Sequence, residues 1–235
     1  MARVTPKASA KLAKAEMYRK LIVDAAEQVF AERGYDEAKM QDIALAAGIA
    51  LGTLYTVFPG KVELYGAIQE QRGREMIEGI HFALTRGGTS RLDRAIQGYD
   101  GVVDACARGI DAYVRVLVQR PAFLRMHLRD GLSWTDPSAR RSGEEVATLE
   151  RGMSLAVSLL KAGIERGYLH GESRPEVLLK MMVAAHQVQL QDWLDRGADQ
   201  DEVTGLIERM QQHFVRAFVI ESATRVKQGK TANTG

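Results

Sequence analysis

The chain has 235 residues, of which 46% are hydrophobic and 26% are charged, and its formal net charge is +2 at pH 7. This balance excludes an intrinsically disordered chain, and the single cysteine, Cys106, excludes an internal disulfide framework. No apolar run approaches the roughly 20 residues that span a bilayer, so we expect a cytoplasmic globular protein with no membrane partner.

Residues 1–14 form a polar, basic segment that we expect to be a flexible arm. Residues 1–20 carry six basic side chains against one acidic side chain. A basic arm is a common partner for a polyanion, although a solvated tail without a partner has the same composition.

Three short helices are predicted in residues 15–66, the first folded domain. Apolar residues recur on one stripe between Leu21 and Phe30, with the spacing of an amphipathic helix. The helices are placed at residues 20–33, 40–47 and 51–57, with Gly34, Gly48 and the pair Pro59-Gly60 at their ends.

Longer helices are predicted in residues 67–224, the second domain, where proline is scarce. They are placed, together with the helix that leads into this domain, at residues 61–86, 91–108, 110–120, 121–130, 144–166, 174–196 and 201–224. Ser173 is expected to cap the helix that begins at Arg174, and the tail 225–235 to be disordered. Because the sequence shows no strand pattern and no internal repeat, the predicted fold class is all-α.

The segment from Gln41 to Phe58 is the most informative part of the sequence. It contains two short amphipathic helices joined by a turn at Gly48, where a positive φ is accessible. Ala44 and Ala47 are small enough to let the helices approach closely. This pattern is typical of a helix-turn-helix, whose second helix enters the major groove of DNA, but an ordinary helical hairpin has it too.

The residues in and around this motif form a specific set. The set comprises Gly34-Tyr35, Ile43-Ala44, Ala47-Gly48-Ile49, Gly52-Thr53-Leu54-Tyr55, Phe58 and Lys61. Over residues 21–68 the chain thereby resembles the tetracycline-repressor (TetR) family of transcriptional regulators. The resemblance implies an N-terminal helix-turn-helix DNA-binding domain followed by a helical domain for effector binding and dimerisation.

The resemblance also implies which residues contact DNA. Leu51, Gly52 and Thr53 lie at the start of the recognition helix, where family members contact bases and phosphates. Gln41 has the position of an occasional base contact. Phosphate contacts, which position a protein rather than read sequence, are expected from other polar side chains. The full predicted set is Lys39, Gln41, Ala50, Leu51, Gly52, Thr53, Tyr55, Thr56 and Lys61.

Three positions depart from the usual family pattern. Ala50 stands where many members have a capping serine, Lys39 replaces a usual Ser or Thr, and Val57 replaces a His or Tyr. Leu51 cannot hydrogen-bond a base, although it can pack on a thymine methyl group. We therefore expect little direct base reading and a larger contribution from DNA shape.

The last two helices are implied by the resemblance to pair across a two-fold axis. A homodimer would place two recognition helices about 34–36 Å apart, as a pseudo-palindromic double-stranded operator requires. Core packing alone would produce the same apolar faces. The candidate interface residues are Met181, Met182, Val188, Leu206, Met210, Phe214 and Phe218.

The middle helices are expected to enclose a pocket for an unidentified, hydrophobic small-molecule effector. Each candidate is equally compatible with plain core packing. The candidates are Tyr113, Phe123, Met126, His127, Trp134, Met153 and His186. The effector would favour a conformation in which the helix that begins at Lys61 moves, so that a repressor leaves its operator.

Two other functions remain open. A helical-bundle enzyme would need a constellation that we do not find: Glu78 and His81 have the Glu-x-x-His spacing of di-iron bundles but occur once. The segment Gly229-Lys230-Thr231 lacks the leading glycine of a phosphate loop. We expect no catalytic residue, no metal site and no cofactor. An adaptor that keeps the helix-turn-helix without binding DNA is compatible with Ala50 and Leu51.

Overall fold

The computed structural model describes the backbone of residues 6–85, 98–131 and 143–220, and the side chains of residues 13–85, 98–131 and 153–220. In these ranges every regular element is helical, apart from one isolated β-bridge, which confirms the all-α fold class. The helices are α1 (Pro6–Glu37), α2 (Met40–Ala46), α3 (Leu51–Val57), α4 (Lys61–Thr85), α5 (Tyr99–Val118), α6 (Pro121–Asp130), α7 (Gly143–Glu165), α8 (Pro175–Asp195) and α9 (Val203–Phe218), with a 3-10 turn at Gln200–Glu202.

The described residues form two compact units. The first contains the chain up to Arg72 together with Ala122–Arg129, and the second contains Gly73–Pro121 and the chain from Asp130 onward. The sequence-based division at residue 66 places α6 in the second domain, whereas α6 clusters with the N-terminal helices. Helix α4 contributes residues to both units.

The core of the first unit is built on one face of α1. Ile22, Ala26 and Phe30 recur every four residues and are almost completely buried. Helix α1 begins at Pro6, inside the segment predicted to be a flexible arm, and residues 1–5 lie outside the described part. The other large buried side chains of this unit include Ile43, Leu54, Phe58, Leu64, Ile68, Phe123 and Leu124.

The core of the second unit is centred on Trp193 of α8, whose side chain is completely buried. Its indole Nε1 donates a hydrogen bond to the carbonyl oxygen of Asp199 at 2.9 Å, so the ring is buried without an unpaired donor. The surrounding buried side chains include Val114, Leu117, Leu160, Leu190, Met210 and Phe214.

Two predictions about helix ends in the second unit are wrong: the break before Ile110 and the cap at Ser173. Helix α5 runs through Gly109 without interruption, because a helical glycine costs only about 1 kcal/mol and the buried face of α5 outweighs that cost. Helix α8 has Arg174 as its N-cap and Pro175 in its first turn, so Ser173 does not cap it. Residues 91–97, Trp134 and the tail 225–235 lie outside the described part of the chain.

The predicted end of the last helix is also wrong. Helix α9 ends at Phe218, before the predicted end at Thr224. Val219 instead forms an antiparallel bridge with Leu169, and the backbone N of His170 donates to the carbonyl oxygen of Phe218 at 3.0 Å. A contact between residues fifty positions apart, which no local pattern reports, therefore sets this boundary.

Candidate nucleic-acid interface and buried cavity

The turn between α2 and α3 depends on a glycine. Gly48 has a φ of +64°, and the backbone N of Ile49 donates to the carbonyl oxygen of Ala44 at 3.0 Å, which closes α2. The two helices are bent by 104° relative to each other, an angle typical of helix-turn-helix pairs. Ile43 and Leu54 are fully buried. The predicted pair of short helices with a glycine turn is confirmed.

A lysine of α4 closes the end of α1, which bends at Gly34, where φ is +79°. The Lys61 ammonium donates to the carbonyl oxygens of Tyr35 at 2.7 Å, Asp36 at 3.0 Å and Ala38 at 3.2 Å. It also lies 4.6 Å from the centroid of the Tyr35 ring. An ammonium has three donors, and three carbonyls accept them here. The charge of Lys61 is thus used inside the protein, and its predicted contact with phosphate stays a prediction.

Two arginines hold α1 near the same end. Arg129 Nη1, from α6, donates to the carbonyl oxygen of Phe30 at 2.9 Å. Arg33 pairs with Asp42 of α2 at 2.6 Å. The Arg33 pair is largely exposed and is worth at most about 1 kcal/mol, but it links α1 directly to the first helix of the motif.

A buried arginine joins α4 to α1. The side chain of Arg72 is 2% exposed; its Nε donates to Glu27 Oε2 at 2.7 Å and its Nη2 to Asp24 Oδ1 at 2.8 Å. Glu27 is buried as well, and breaking a buried pair by removing one partner typically costs about 3–5 kcal/mol. The sequence analysis did not predict this network. The feature of the sequence that indicates it is the pair of acidic residues, Asp24 and Glu27, within the apolar stripe of α1.

The outer face of α3 carries most of the predicted contact residues. Gly52, Tyr55 and Thr56 are exposed, with Tyr55 48% exposed, and Leu51 and Thr53 are half-buried. A Cβ atom built on Gly52 would meet nothing within 4 Å, so the backbone there is open to a partner. The Thr56 Oγ1 donates to the carbonyl oxygen of Gly52 at 2.8 Å, which uses its hydrogen within the helix.

The starts of α2 and α3 are also exposed, at Lys39, Gln41 and Ala50. Lys39 and Ala50 are the N-cap residues, and neither side chain makes a capping hydrogen bond, as the sequence predicts for Ala50. Leu45 of α2 is 82% exposed, a feature that the sequence analysis did not identify.

A cavity lies within the second unit, between α4, α5, α7 and α8. Its open space, including the mouth, is about 780 Å³. Three predicted effector-pocket residues, Tyr113, Met153 and His186, line this cavity. The other described lining residues are apolar or small, and none of them is charged.

Three further pocket candidates, Phe123, Met126 and His127, do not line the cavity. All three are almost completely buried on α6, which packs in the first unit. Their assignment to the effector pocket is therefore corrected. Hydrophobic periodicity shows that such residues are buried without showing which core they face.

The predicted dimer-interface residues fall into two sets. Met181 and Val188 of α8 are 48% and 71% exposed, and the exposed Val177 lies on the same side of the helix. The other predicted interface residues are mostly covered by their own chain, and their part in an interface stays a prediction. Met182, Leu206, Met210 and Phe214 are buried within the chain, and Phe218 is half-buried.

Burial shifts the pKa of three groups at the cavity wall. Desolvation, with a smaller effect of His213, lowers the pKa of His186 to about 4. Desolvation raises the pKa of the Cys106 thiol to about 12, and it also raises the pKa of the Tyr113 hydroxyl. All three side chains are therefore uncharged at neutral pH.

The described residues contain no group of three or more His, Cys, Asp or Glu side chains placed to hold a metal ion. Among the same residues no single helix is long and apolar enough to cross a membrane. Only α2 and α3 together reach that length and composition, as a sharply bent pair.

Residues 22–68 match the family model for bacterial regulatory proteins of the tetR family. The HTH-type transcriptional activator FasR of Mycolicibacterium smegmatis is 33% identical over 87 residues, which cover 36% of this chain and 40% of FasR. The chain thus spans about two fifths of the length of this curated relative.

The fold likeness extends over more of the chain. The crystal structure of a putative tetR family regulator from Shewanella sp. PV-4 has a TM-score of 0.63 at 16% identity, covering 87% of this chain and 99% of that chain. FadR from Bacillus subtilis, solved in complex with stearoyl-CoA, has a TM-score of 0.56 at 19% identity, covering 83% and 97%. At sequence identities of 16% and 19%, the similarity to these two structures shows the fold alone.

Replacing Lys61 by Met keeps the length of the side chain and removes its three hydrogen bonds. We expect the free energy of unfolding to fall by about 1–3 kcal/mol, because three carbonyls at the end of α1 lose a charged donor. Urea denaturation measures the change. Lys39→Met, at an exposed position, is the control and is expected to change stability by less than about 0.5 kcal/mol. Equal effects of the two substitutions would contradict the structural role of Lys61.

The lowered pKa of His186 predicts acid sensitivity. Between pH 6.5 and about pH 4 the unfolded chain binds a proton at this residue and the folded chain does not, so stability falls as the pH falls. We expect His186 to account for a loss of up to about 3 kcal/mol over this range. Urea denaturation at both ends of the range checks this: His186→Leu should flatten the dependence, and His81→Leu, at an exposed position, should not. Parallel curves for the wild type and His186→Leu would contradict the assignment.

Proposed function

We propose that this chain, which belongs through its N-terminal domain to the tetR family of bacterial regulatory proteins, is a cytoplasmic, dimeric, DNA-binding transcriptional regulator. The observation that carries the proposal is the geometry of α3. A short helix is held at a steep angle to α2, fixed from behind by buried residues, and its outer face is open to solvent.

The face of α3 suits a major groove. The lack of a side chain at Gly52 lets the backbone approach the duplex, and Thr53 offers a hydroxyl to a base edge. Leu51 can pack against a thymine methyl group. Tyr55 and Lys39 are the exposed groups suited to phosphate, where they would position the protein without reading sequence.

The exposed apolar side of α8 supports dimerisation. Val177, Met181 and Val188 are separated by four and seven residues, so they lie along one face of the helix, and their exposed fractions are 36%, 48% and 71%. A second copy of the same face is a self-complementary partner, as two-fold dimers require. The dimer would present two copies of α3 to successive turns of a pseudo-palindromic operator.

The cavity of the second unit supports a response to a hydrophobic small molecule. Residues of α4 line the cavity, and the same helix begins at Lys61 and continues to Arg72 within the first unit. A ligand that favours a shifted position of α4 by about 1–3 kcal/mol would reduce DNA occupancy substantially. We propose repression, released by this ligand, because a protein bound at a promoter blocks polymerase without further contacts.

An adaptor without DNA binding is the second candidate. It is favoured by the commitment of Lys61 to the end of α1 and of the Thr56 hydroxyl to its own helix, since both leave fewer polar groups for DNA. The exposed Leu45 adds an apolar contact that an adaptor would use.

Salt dependence of duplex binding separates the two candidates. We expect fluorescence anisotropy with a duplex of generic sequence to show an affinity that falls steeply with salt, because phosphate binding releases counterions. Lys39→Ala removes one positive charge from the DNA-facing side and should make the logarithmic salt slope shallower by about one unit. The matched control is Lys161→Ala on α7, which should keep the wild-type slope. Absence of binding at low salt would favour the adaptor, and equal slopes for all three proteins would contradict the phosphate contact of Lys39.

The dimer proposal predicts the effect of a charge on the exposed side of α8. Val188→Asp places two carboxylates near the two-fold axis, and we expect the dissociation constant of the dimer to rise on the order of 100-fold. Analytical ultracentrifugation measures this change. Val62→Asp is the control, because Val62 is similarly exposed at 60% but belongs to the first unit. A Val188→Asp protein with the wild-type dissociation constant would contradict the proposed interface.

A further inference from the structure

Among the described residues of the cavity wall is a buried imidazole without a hydrogen bond. His186 of α8 is 5% exposed, and its ring lies 6.2 Å from the ring of Tyr113, measured between centroids. Within the part of the chain that the structure describes, neither ring nitrogen of His186 has a hydrogen-bond partner. Buried polar groups are almost always paired, so this imidazole is expected to find its partner inside the cavity.

The state of this imidazole restricts what it can bind. Burial keeps the ring uncharged at neutral pH, so it offers one N–H donor and one nitrogen acceptor. It does not offer the positive charge that a carboxylate or a phosphate would require. Electrostatic repulsion from the neighbouring His213 lowers the pKa of His186 further.

The other described residues of the cavity wall also disfavour a charged ligand. The described lining residues from α4, α5, α7 and α8 include no lysine, arginine, aspartate or glutamate. A charged group that entered the cavity would lose its hydration and gain no counter-charge from these residues. An apolar chain or ring, in contrast, would contact side chains such as Ile80, Leu160 and Val183.

From these observations we infer that the cavity binds an uncharged, predominantly apolar molecule whose single hydrogen-bonding oxygen, a ketone, hydroxyl or ester, pairs with His186. The inference rests on the proposed effector site and names its ligand class. The inferred ligand class differs from that of a cavity whose wall carries charged side chains for a charged ligand. His186 is the specificity-determining residue, because its imidazole is buried at the cavity wall and has no hydrogen-bond partner among the described residues.

Four probes with the same ten-carbon chain test the inference: 2-decanone, 1-decanol, decanoate and decane. Their competition with the uncharged dye N-phenyl-1-naphthylamine is measured on the full chain at neutral pH, without DNA. We expect the ketone and the alcohol to bind about tenfold more tightly than decanoate or decane, because they alone satisfy His186 without adding a charge.

Three variants assign the preference to the imidazole. His186→Leu should remove the advantage of the ketone and the alcohol over decane, whereas His186→Gln, which keeps an uncharged donor and acceptor, should retain part of it. Val62→Ala, in the first unit and not among the cavity-lining residues, should leave the order of the four probes unchanged. Preferential binding of decanoate, an unchanged preference in His186→Leu, or no binding of any probe would overturn the inference.

The same probes distinguish this inference from the proposed function. Adding 2-decanone to the protein–duplex complex tests whether cavity occupancy alters DNA binding. A ketone-selective cavity with no effect on the complex would overturn the effector role and leave the ligand class standing. Release of DNA by decanoate alone would support the effector role and overturn the ligand class.

Discussion

The structure of the first unit depends on how the end of α1 is closed. The bend at Gly34 leaves backbone carbonyls pointing out of the helix, and the Lys61 ammonium accommodates three of them. Lys61 is the first residue of α4, so this contact joins the two elements on either side of α2 and α3. Helix α3 is seven residues long and has no side-chain cap, so it draws its rigidity from this frame and not from its own sequence.

The two units use buried polar groups in opposite ways. In the first unit the buried Arg72 pairs with the buried Glu27 and with Asp24, whose side chain is 48% exposed, and it thereby joins α1 to α4. In the second unit His186 is buried beside a cavity without a hydrogen bond from the described residues. A satisfied buried group stabilises one conformation, whereas an unsatisfied one next to open space favours a ligand. This contrast supports the proposal that the cavity of the second unit binds a ligand.

The sequence predicts best what is determined locally. Helices α2 and α3, the turn at Gly48 and the open face around Tyr55 follow from periodicity, glycine chemistry and a recognisable family pattern. Contacts distant in sequence were not predictable. The role of Lys61 needs carbonyls more than twenty positions away, and the end of α9 depends on a bridge to Leu169. Nor can an apolar stripe distinguish a buried residue such as Met210 from an exposed one such as Val188, because both satisfy the same spacing.

The central claim is that two copies of α3 are held at a spacing that matches a duplex. Selection of bound fragments from a randomised duplex library by the purified chain tests it most directly. The account predicts enrichment of one pseudo-palindromic site whose half-sites lie about one helical turn apart, or a whole multiple of that distance. Recovery of no common sequence, or of an isolated half-site without its repeat, would contradict it.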